Sequence, residues 1–365
     1  MTAAQPLVLM MAGGTGGHVY PALAVALELV DRGYRIEWLG TARGLESRVV
    51  PDNGIPIHYL SVRGLRGKRL AGRVLGAFGL AIASLQALWL VLKLAPRCVV
   101  GMGGYASGPG GVAAWLLRKP LLIHEQNAVA GTTNRMLAPL AAKIVGGFGG
   151  AFEPGIEYSV TGNPVRRELV EARKDYRYDY DGSRPLRLLV LGGSLGAQPI
   201  NAAVPAALQA MSMSGMRVPE IRHQTGEAHA AEVVGHYGDL LDQCVTVAPF
   251  IEDMAGAYSW SDLVLCRCGA LTITELCIVG RPAILVPLPH AIDDHQTANA
   301  RALTERGGAT LLRQSEMSED RLLELLLEFI GQPERLFGMA AAAFAAASPD
   351  AAQRVGDCCE ELMYA

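Results

Sequence analysis

Charged residues are scarce in this sequence, and neither sign predominates. Asp, Glu, Lys and Arg make up 18% of the 365 residues, and the formal net charge is −3 at pH 7. A nucleic-acid-binding surface needs an excess of basic side chains, so this balance argues against nucleic acid as a partner. Half of the residues are hydrophobic. A chain of this length and composition is expected to form two well-buried domains and not to be disordered.

The sequence also lacks the marks of a secreted or zinc-binding protein. It has no CxxC pair, and its seven cysteines are scattered. An odd, scattered set predicts reduced thiols, and Cys266 and Cys268 lack the further ligands that a zinc site needs. The N-terminus has no basic stretch and turns glycine-rich after one short apolar run. It predicts a first β-strand in a cytoplasmic protein and not a signal peptide.

Short apolar runs alternate with helix-length segments throughout, which is typical of parallel α/β sheets. The strand candidates are LVLMMA, RIEWLG, IPIHYL, RCVVGMG, PLLIHEQ and AKIVGGF in the first half, and LRLLVLGGS, RVPEIRHQ, CVTVAPF, DLVLCR, PAILVPL and ATLLR in the second. Each half opens with a strand, a glycine-rich turn and a helix, which predicts two Rossmann-like domains in tandem. A charged, tyrosine-rich stretch at 168–185 indicates an interdomain linker or a surface loop. The Ala-rich tail after Pro333 predicts helices, the last of which crosses back to the first domain.

The two glycine-rich turns are candidate anion sites. Gly13-Gly14-Thr15-Gly16-Gly17-His18 and Gly192-Gly193-Ser194-Leu195-Gly196-Ala197 each precede a predicted helix, whose first N–H groups and dipole favour a phosphate. The dinucleotide fingerprint needs glycine at position 19, where this chain has Val19, and no Walker lysine follows either loop. NAD binding and ATP hydrolysis are therefore disfavoured.

Several polar residues are predicted to face a ligand. His18 follows the first loop and can take a proton from a hydroxyl at neutral pH, the alternative being a cap or a bond across the loop. His124-Glu125-Gln126-Asn127 ends a predicted parallel strand, where α/β sheets place ligands. A helix predicted to begin near Ala270 could receive a phosphate, and Glu275 within it could accept ribose hydroxyls. The pair Asp293-Asp294 is expected to cap the next helix and not to hold a metal.

The segment from Val74 to Leu92 carries no charge and approaches the length of a membrane span. A strand candidate follows at once, so a helix packed on a parallel sheet is the preferred interpretation. Basic residues precede it, and aromatic ones lie within it, which suits contact with an anionic membrane surface. The alternative is a solvated basic loop over a core helix. The residues predicted to face the membrane are Arg66, Lys68, Arg69, Arg73, Phe78 and Trp89.

Together these motifs resemble the GT-B glycosyltransferases, and among them the MurG-type N-acetylglucosaminyltransferases of peptidoglycan synthesis. The similar segments run through nearly the whole chain: GGTGGHVYPALAVA, GMGGYASGP, IHEQNAVAG, TGNPVR, LGGSLGA, PFIEDM, CGALTITE and PHAIDDHQTANA. The resemblance implies two Rossmann-like parallel-sheet domains facing a cleft: an acceptor- and membrane-facing domain at 1–165 and a UDP-GlcNAc-binding domain at 166–345. A C-terminal helix at 346–365 would pack back on the first domain.

The resemblance also implies an activity. Such an enzyme moves N-acetylglucosamine from UDP-GlcNAc to the muramyl 4-hydroxyl of lipid I, the undecaprenyl-pyrophosphoryl-MurNAc-pentapeptide, forming lipid II with inversion. It needs no metal or other cofactor, and it lies peripherally on the cytoplasmic face of the inner membrane. UDP-GlcNAc, lipid I and the membrane surface would then be its partners.

Site roles follow from the same resemblance. His18 is the candidate general base, and Glu125 is the carboxylate that orients or replaces it. Phe250 and the Ile251 backbone would meet the uracil, Glu275 the ribose, and Gln296 the sugar. The diphosphate would lie on Arg166, Ser194 and the helix start Ala270, Leu271, Thr272, continuing through Ile273 and Thr274. Thr15, Gly16, Gly17 and Asn127 would complete the donor site and face the acceptor.

The sequence departs from the family pattern at Leu195, Cys268 and His295. The first two leave backbone donors in place, so modest effects are expected, whereas the third puts side-chain contacts to the sugar in doubt. Two other enzyme classes remain open: UDP-GlcNAc 2-epimerases, which share the fold and the donor, and transferases to another glycolipid. A non-enzymatic nucleotide-sugar binder is the remaining alternative.

Overall fold

The computed structural model describes residues 5–61, 70–193, 195–241, 243–289 and 291–365; of residues 70–78 and Ile292 it describes the backbone alone. The chain divides into two compact units. Unit 1 comprises residues 1–166 and 348–365, and unit 2 comprises residues 167–347. Each unit is built around one parallel sheet.

Unit 1 contains a seven-stranded sheet in the order β3-β2-β1-β4-β5-β6-β7. Its central strands are buried on both faces, which is why they appear as continuous apolar runs. The sheet strands are β1 (Leu7–Met11), β2 (Arg35–Gly40), β3 (Ile57–Tyr59), β4 (Cys98–Gly101), β5 (Leu121–Glu125), β6 (Lys143–Gly146) and β7 (Ser159–Val160). The helices are α1 (Gly16–Asp31), α2 (Glu46–Asp52), α3 (Leu70–Leu94), α4 (Ser107–Leu116) and α5 (Thr132–Leu137), joined at the end of the chain by α14 (Ala351–Tyr364).

Unit 2 contains a six-stranded sheet in the order β10-β9-β8-β11-β12-β13. Its strands are β8 (Arg187–Leu191), β9 (Glu220–Gln224), β10 (Val245–Ala248), β11 (Leu263–Cys266), β12 (Ala283–Leu285) and β13 (Ala309–Leu311). Its helices are α6 (Arg167–Ala172), α7 (Gln198–Met213), α8 (Ala230–Tyr237), α9 (Met254–Trp260), α10 (Ala270–Val279), α11 (His295–Thr304), α12 (Glu319–Gly331) and α13 (Pro333–Ala345). All register pairs in both sheets are parallel.

The last helix belongs to unit 1, as the sequence predicted. Val355, Cys359 and Met363 on α14 join the core formed by β1, β4 and α1. Arg32, the C-cap residue of α1, donates to Asp357 and Glu360 at 2.7 and 3.0 Å. An apolar face and an ion-pair cluster therefore fix α14 to α1.

The tyrosine-rich stretch at 168–185 is not a linker between the units. The division falls at residue 166, so the whole stretch lies inside unit 2. Tyr176 and Tyr180 are buried, and the Tyr176 hydroxyl donates to the Ala255 carbonyl at 2.8 Å. Arg184 pairs with the buried carboxylate of Asp262. The charged residues that suggested a linker thus alternate with aromatic residues that pack within unit 2.

Candidate functional site

The glycine-rich loop of unit 1 forms the N-terminus of α1. Thr15 is the N-cap residue, and its carbonyl accepts the N–H groups of His18 and Val19 at 3.1 and 3.2 Å. Its side chain makes no capping bond. Gly16 and Gly17 are the first helical residues, whose N–H groups have no acceptor within the helix. The loop therefore presents backbone donors and the positive end of the helix dipole.

A buried carboxylate that the sequence analysis missed holds this loop in place. Glu46 is fully buried, and its Oε2 accepts the Gly14 N–H at 2.9 Å. Its Oε1 accepts the N–H and the hydroxyl of Thr41 at 2.8 and 2.7 Å. A Cβ at Gly13 or Gly44 would overlap the carboxylate. Glu46 thus needs glycines around it. The clustering of glycines near this loop is the sequence feature that could have indicated a buried side chain here.

A second glycine loop, after β4, lies against the first. Gly104 has φ of +84°, and a Cβ there would overlap the Gly13 carbonyl oxygen. The Ser107 hydroxyl donates to the Gly103 carbonyl at 2.7 Å and so fixes the loop to the start of α4. Because β1 and β4 are neighbouring parallel strands, their carboxyl ends bring these loops together.

His18 stands where these loops meet the end of β5. Its Nδ1 lies 3.0 Å from Gln126 Oε1, and Gln126 Nε2 lies 3.2 Å from His124 Nδ1. His124 Nε2 lies 3.0 Å from the carbonyl oxygen of Gly162. His124 is completely buried, and burial lowers its pKa. The side chain that contacts His18 is therefore Gln126, which the sequence analysis did not single out from its motif.

Glu125 occupies a structural position within the loop that follows it. Its Oε1 accepts the N–H of Asn127 at 2.9 Å and the side-chain amide of Asn127 at 3.1 Å. Its Oε2 accepts the Gly131 N–H at 2.9 Å and the Asn134 amide at 2.8 Å. His124, Glu125 and Gln126 are all buried. The polar groups of these three side chains bond within the protein, whereas Asn127 is half-buried. The expectation that the motif faces a ligand stays a prediction.

Arg166 is the last residue of unit 1 before the chain enters unit 2. Its guanidinium carbon lies 5.3 Å from the centre of the Tyr20 ring, within cation–π range. This contact places a positive charge beside the first turns of α1.

In unit 2, Gln224 connects two segments of the predicted donor site. Its Nε2 donates to the Gly193 carbonyl at 3.2 Å, and its Oε1 accepts the Ile251 N–H at 3.0 Å. The glycine loop and the 250–251 segment follow β8 and β10, the two neighbours of β9, whose last residue is Gln224. Phe250 is 55% exposed. Ser194 lies outside the described residues.

The helix α10 begins at Ala270, as the sequence predicted. Gly269 is its N-cap residue with no side-chain cap, so Ala270, Leu271 and Thr272 present unpaired backbone donors at its N-terminus. Ile273 is buried in unit 2, and the Thr274 hydroxyl donates to the Ala270 carbonyl at 2.9 Å. The side chains of these two residues therefore bond or pack within unit 2.

Glu275 lies one turn into α10 and is almost completely buried. Its Oε2 accepts the hydroxyl of Tyr258 at 3.0 Å, and Tyr258 is itself buried on α9. A buried carboxylate needs hydrogen-bond donors. Tyr258, which the sequence analysis missed, supplies one and fixes the direction of the carboxylate.

Gln296 ties three segments of unit 2 together. Its Oε1 accepts the N–H of Cys268 at 3.3 Å and that of Leu288 at 2.9 Å. These residues follow β11 and β12, and Gln296 is on α11. Asp294 is the N-cap residue of α11, as expected, but its Oδ1 accepts the Thr297 hydroxyl at 2.7 Å and no backbone N–H.

All seven cysteines are free thiols. Burial raises the pKa of Cys266 and Cys277 to about 12, and burial also raises the pKa of Cys268. These thiols stay protonated at neutral pH, which makes them poor nucleophiles and poor metal ligands. Among the described residues no group of three His, Cys, Asp or Glu side chains is arranged to hold a metal ion.

The predicted apolar segment is the helix α3. In the described part of the chain, none of the helices combines the length and hydropathy that crossing a membrane requires. Trp89 is 61% exposed, and the Lys93 ammonium lies 4.9 Å from the centre of its ring. The predictions for Arg66, Lys68 and Arg69 lie outside the described residues, as do those for the side chains of Arg73 and Phe78.

Comparison with known proteins identifies the family. Residues 8–145 match the model of the glycosyltransferase family 28 N-terminal domain, and residues 187–355 match that of its C-terminal domain. A crystal structure of MurG from Acinetobacter baumannii is 40% identical with a TM-score of 0.81, and the match covers 98% of this chain and 99% of that one. The UDP-GlcNAc 2-epimerase of Neisseria meningitidis is 15% identical with a TM-score of 0.66, over 99% of this chain and 100% of that one, which shows a shared fold.

Two curated relatives share about half of their residues with this chain. The protein of Azotobacter vinelandii is 51% identical, over 97% of this chain and 98% of its own length. That of Stutzerimonas stutzeri is 50% identical, over 98% and 99%. Both are named UDP-N-acetylglucosamine–N-acetylmuramyl-(pentapeptide) pyrophosphoryl-undecaprenol N-acetylglucosamine transferase. The chain therefore belongs to glycosyltransferase family 28, and within it to the MurG-type N-acetylglucosaminyltransferases.

Proposed function

We propose that this protein transfers N-acetylglucosamine from UDP-GlcNAc to the 4-hydroxyl of the muramyl sugar of lipid I, forming lipid II. The near-complete alignment with relatives of that name carries the choice of substrates. The position of His18, at the N-terminus of α1 and hydrogen-bonded through Nδ1 to Gln126, supports the chemistry.

In the proposed reaction His18 is the general base and Glu125 is not. Both oxygens of Glu125 already accept two hydrogen bonds from its own loop, so protonation would disrupt that loop. His18 bonds through one ring nitrogen and keeps the other for a substrate. Glu125 instead positions Asn127, which we assign to the acceptor side together with Thr15, Gly16 and Gly17.

Unit 2 binds the donor in this proposal. Phe250 packs on the uracil, and Glu275, held by Tyr258, accepts the ribose hydroxyls. The Ile251 N–H already bonds to Gln224. The uracil is therefore recognised by the Ile251 carbonyl, or it displaces Gln224 from the Ile251 N–H. The Oε1 of Gln296 is engaged by backbone, so the sugar is met by its Nε2 amide.

The leaving diphosphate is stabilised by fixed protein charges. The N-terminus of α10 and the glycine loop that follows β8 supply the donors within unit 2. The muramyl oxygen attacks the anomeric carbon as UDP leaves from the opposite face, which inverts the α-donor to a β-1,4 linkage. We propose that no metal ion takes part. Loss of one such donor costs about 10²–10³ in rate.

Release of UDP with and without acceptor tests this function. With UDP-GlcNAc alone, the proposed transferase releases almost no UDP, and a short-chain lipid I analogue starts the release. Consumption of UDP-GlcNAc without the acceptor, whether or not UDP is released, would instead indicate an epimerase, whose fold this chain shares. A failure to consume UDP-GlcNAc under either condition would favour a nucleotide-sugar binder or another acceptor.

We further propose that α3 and α4 contact the anionic surface of the membrane that carries the acceptor. On α3, Leu85, Trp89 and Leu92 are 68%, 61% and 59% exposed, and their spacing of four and three residues places them on one face. Trp115 and Leu116 on the neighbouring α4 are also exposed. Large apolar side chains grouped on adjacent helices are typical of interaction surfaces, and a lipid-linked acceptor makes the membrane the proposed partner.

A further inference from the structure

A chain of four hydrogen-bonding groups ends on the proposed base. It begins at the carbonyl of Gly162, which can only accept a hydrogen bond. His124 Nε2, 3.0 Å away, must therefore carry the hydrogen. His124 is completely buried, and burial lowers its pKa, so the ring is neutral and its Nδ1 has a lone pair and no hydrogen.

The next link settles the orientation of an amide. The Gln126 amide group nearest His124 lies 3.2 Å from the bare Nδ1 and 3.3 Å from the His124 carbonyl oxygen. Both are acceptors, so this group must be the NH₂ and not the oxygen. Gln126 is buried, and its backbone carbonyl accepts a hydrogen bond from the side-chain amide of Asn163 at 3.0 Å. Its Oε1 is thereby directed at His18.

The last link fixes the proton on His18. An amide oxygen only accepts, so His18 Nδ1, 3.0 Å from Gln126 Oε1, must be the N–H donor. In the neutral ring the hydrogen then resides on Nδ1 and the lone pair on Nε2. The ring lies against Gly103, where a Cβ would come within 3.1 Å of its Cε1, so this glycine makes room for the ring in that orientation.

We infer that Gln126 and His124 are positioning residues that hold His18 in the Nδ1–H tautomer, so that Nε2 is the atom that deprotonates the acceptor. This inference rests on the proposed function. As the acceptor oxygen bonds to the anomeric carbon, its proton passes to Nε2, and the bond from that carbon to the diphosphate breaks with its electron pair leaving on UDP. The imidazolium still donates from Nδ1 to Gln126, which neither gains nor loses a proton.

The tautomer can be measured directly and without turnover. In protein labelled with ¹⁵N-histidine, long-range ¹H–¹⁵N spectra at a pH where His18 is neutral assign the protonated ring nitrogen, with His18→Asn identifying the signals. We expect Nδ1–H for His18 and Nε2–H for His124. Since histidine in water favours Nε2–H, an Nε2–H signal for His18 would overturn the inference. This result is independent of the acceptor, so failed transfer with the expected tautomer would count against the proposed function alone.

Two substitutions at position 126 separate positioning from mere packing. Gln126→Leu removes the acceptor, and we expect kcat to fall at least about 10-fold while the donor KM changes less than about twofold. Gln126→Glu in its protonated form keeps both bonds of the amide, because its carbonyl oxygen accepts from His18 Nδ1–H and its hydroxyl donates to His124 Nδ1. It should retain more activity than Gln126→Leu. Ionisation of this carboxyl should favour the imidazolium and move the acid limb of the kcat profile to higher pH, a change that Gln126→Leu does not produce.

Other charged or titratable groups lie on the segments that meet at His18 and can also influence its titration. All of them are unchanged in both variants, so a difference between the two profiles reports on position 126. These groups are His124 and Glu125 on β5, Tyr105 after β4, Glu46 at the glycine loop, Tyr20 on α1 and Arg166 over the Tyr20 ring.

The matched control is Gln224→Leu, which removes a buried glutamine of the same kind from unit 2. It should raise the donor KM more than it lowers kcat, because Gln224 holds the Ile251 segment. Melting temperature verifies that each variant folds, and UDP binding verifies it for the two variants at position 126; if Gln126→Leu does not fold, Gln126→Glu and the wild-type tautomer decide. Equal kcat losses and unshifted pH profiles for both variants at position 126 would show a packing role only.

Discussion

His18 is the residue on which the proposed chemistry depends most. We expect His18→Ala to lower kcat by about 10²–10⁴, the usual contribution of a general base, with donor affinity nearly unchanged. Steady-state kinetics with a short-chain acceptor, together with direct UDP binding, provide the measurement. The control is His236→Ala, an exposed histidine on α8, which should be neutral. A collapse of donor affinity in His18→Ala would remove the assignment of His18 as the base.

Buried histidines should make the stability of the protein depend on pH. Burial lowers the pKa of His223 to about 3, whereas an unfolded histidine titrates near 6.5. Between these values the unfolded chain binds a proton that the folded chain does not, so the free energy of unfolding falls as the pH drops below about 6.5. The slope is about 1.4 kcal/mol per pH unit for each such histidine, and His124 acts in the same direction.

Urea denaturation between pH 7 and 5 measures this slope. His223→Gln removes the titrating group from the network of Asn201 and Tyr237, so its slope should be shallower by about 1.4 kcal/mol per pH unit. An identical slope in the variant and the wild type would mean that His223 is protonated in the folded state as readily as in the unfolded chain.

For single residues, the sequence predicted which residue types lie near the site better than it predicted the role of each residue. His18, Glu275 and the start of α10 are recognisable because they follow strands of a parallel sheet. Glu46, Gln224 and Tyr258 are not, because their function is to bond to parts of the chain that are distant in sequence. Gln126 lay within a recognised motif, but its role depends on distances to two histidines that no spacing reveals.

Among the helices, α3 has the face that we propose for membrane contact. Leu85→Glu and Trp89→Glu should each reduce binding to vesicles that contain phosphatidylglycerol, since burial of one such side chain is worth about 1.5–3 kcal/mol. Turnover on a soluble acceptor should be retained. Met213→Glu is the control, because Met213 is 89% exposed at the end of α7. Sedimentation that is equal for all three variants and the wild type would exclude α3 from the contact.

The attachment of α14 can be tested at Arg32. Its guanidinium bonds to Glu28, Asp357 and Glu360 while only partly exposed, so Arg32→Ala should lower the free energy of unfolding by about 1–2 kcal/mol. Arg354→Ala removes an exposed ion pair with Asp350 on the same helix and should cost at most about 0.5 kcal/mol. Chemical denaturation compares the two. Equal losses would mean that the cluster contributes no more than a surface pair.

The elements were largely predictable because their hydrophobic pattern is local. All twelve strand candidates contain strands of the structure, and α3 and α10 begin close to where the sequence suggested. The two-residue β7 was missed, since Ser159 and Val160 are exposed and form no apolar run. The stretch at 168–185 misled because its charges are solvated while its tyrosines pack against α9 and Arg281.

At the scale of the whole molecule, the repeated strand–glycine turn–helix pattern correctly predicted two parallel-sheet units of the GT-B type. The expected boundaries after residues 165 and 345 lie close to the divisions after Arg166 and Ala347. Both sheets place their polar residues at the carboxyl ends of neighbouring strands, which explains why separate motifs form one site within each unit. The substrates could not be inferred from this architecture, because an epimerase shares it; the resemblance of the motifs and the alignment supplied them.

The most direct test of the account is the structure of the product formed in EDTA. Labelled UDP-GlcNAc and a short-chain lipid I analogue are incubated with the protein, and the product is isolated and its linkage determined by NMR. We predict a β-1,4-linked disaccharide, formed at the same rate with and without EDTA. An α linkage, a requirement for metal, or donor consumption without any disaccharide would contradict the account.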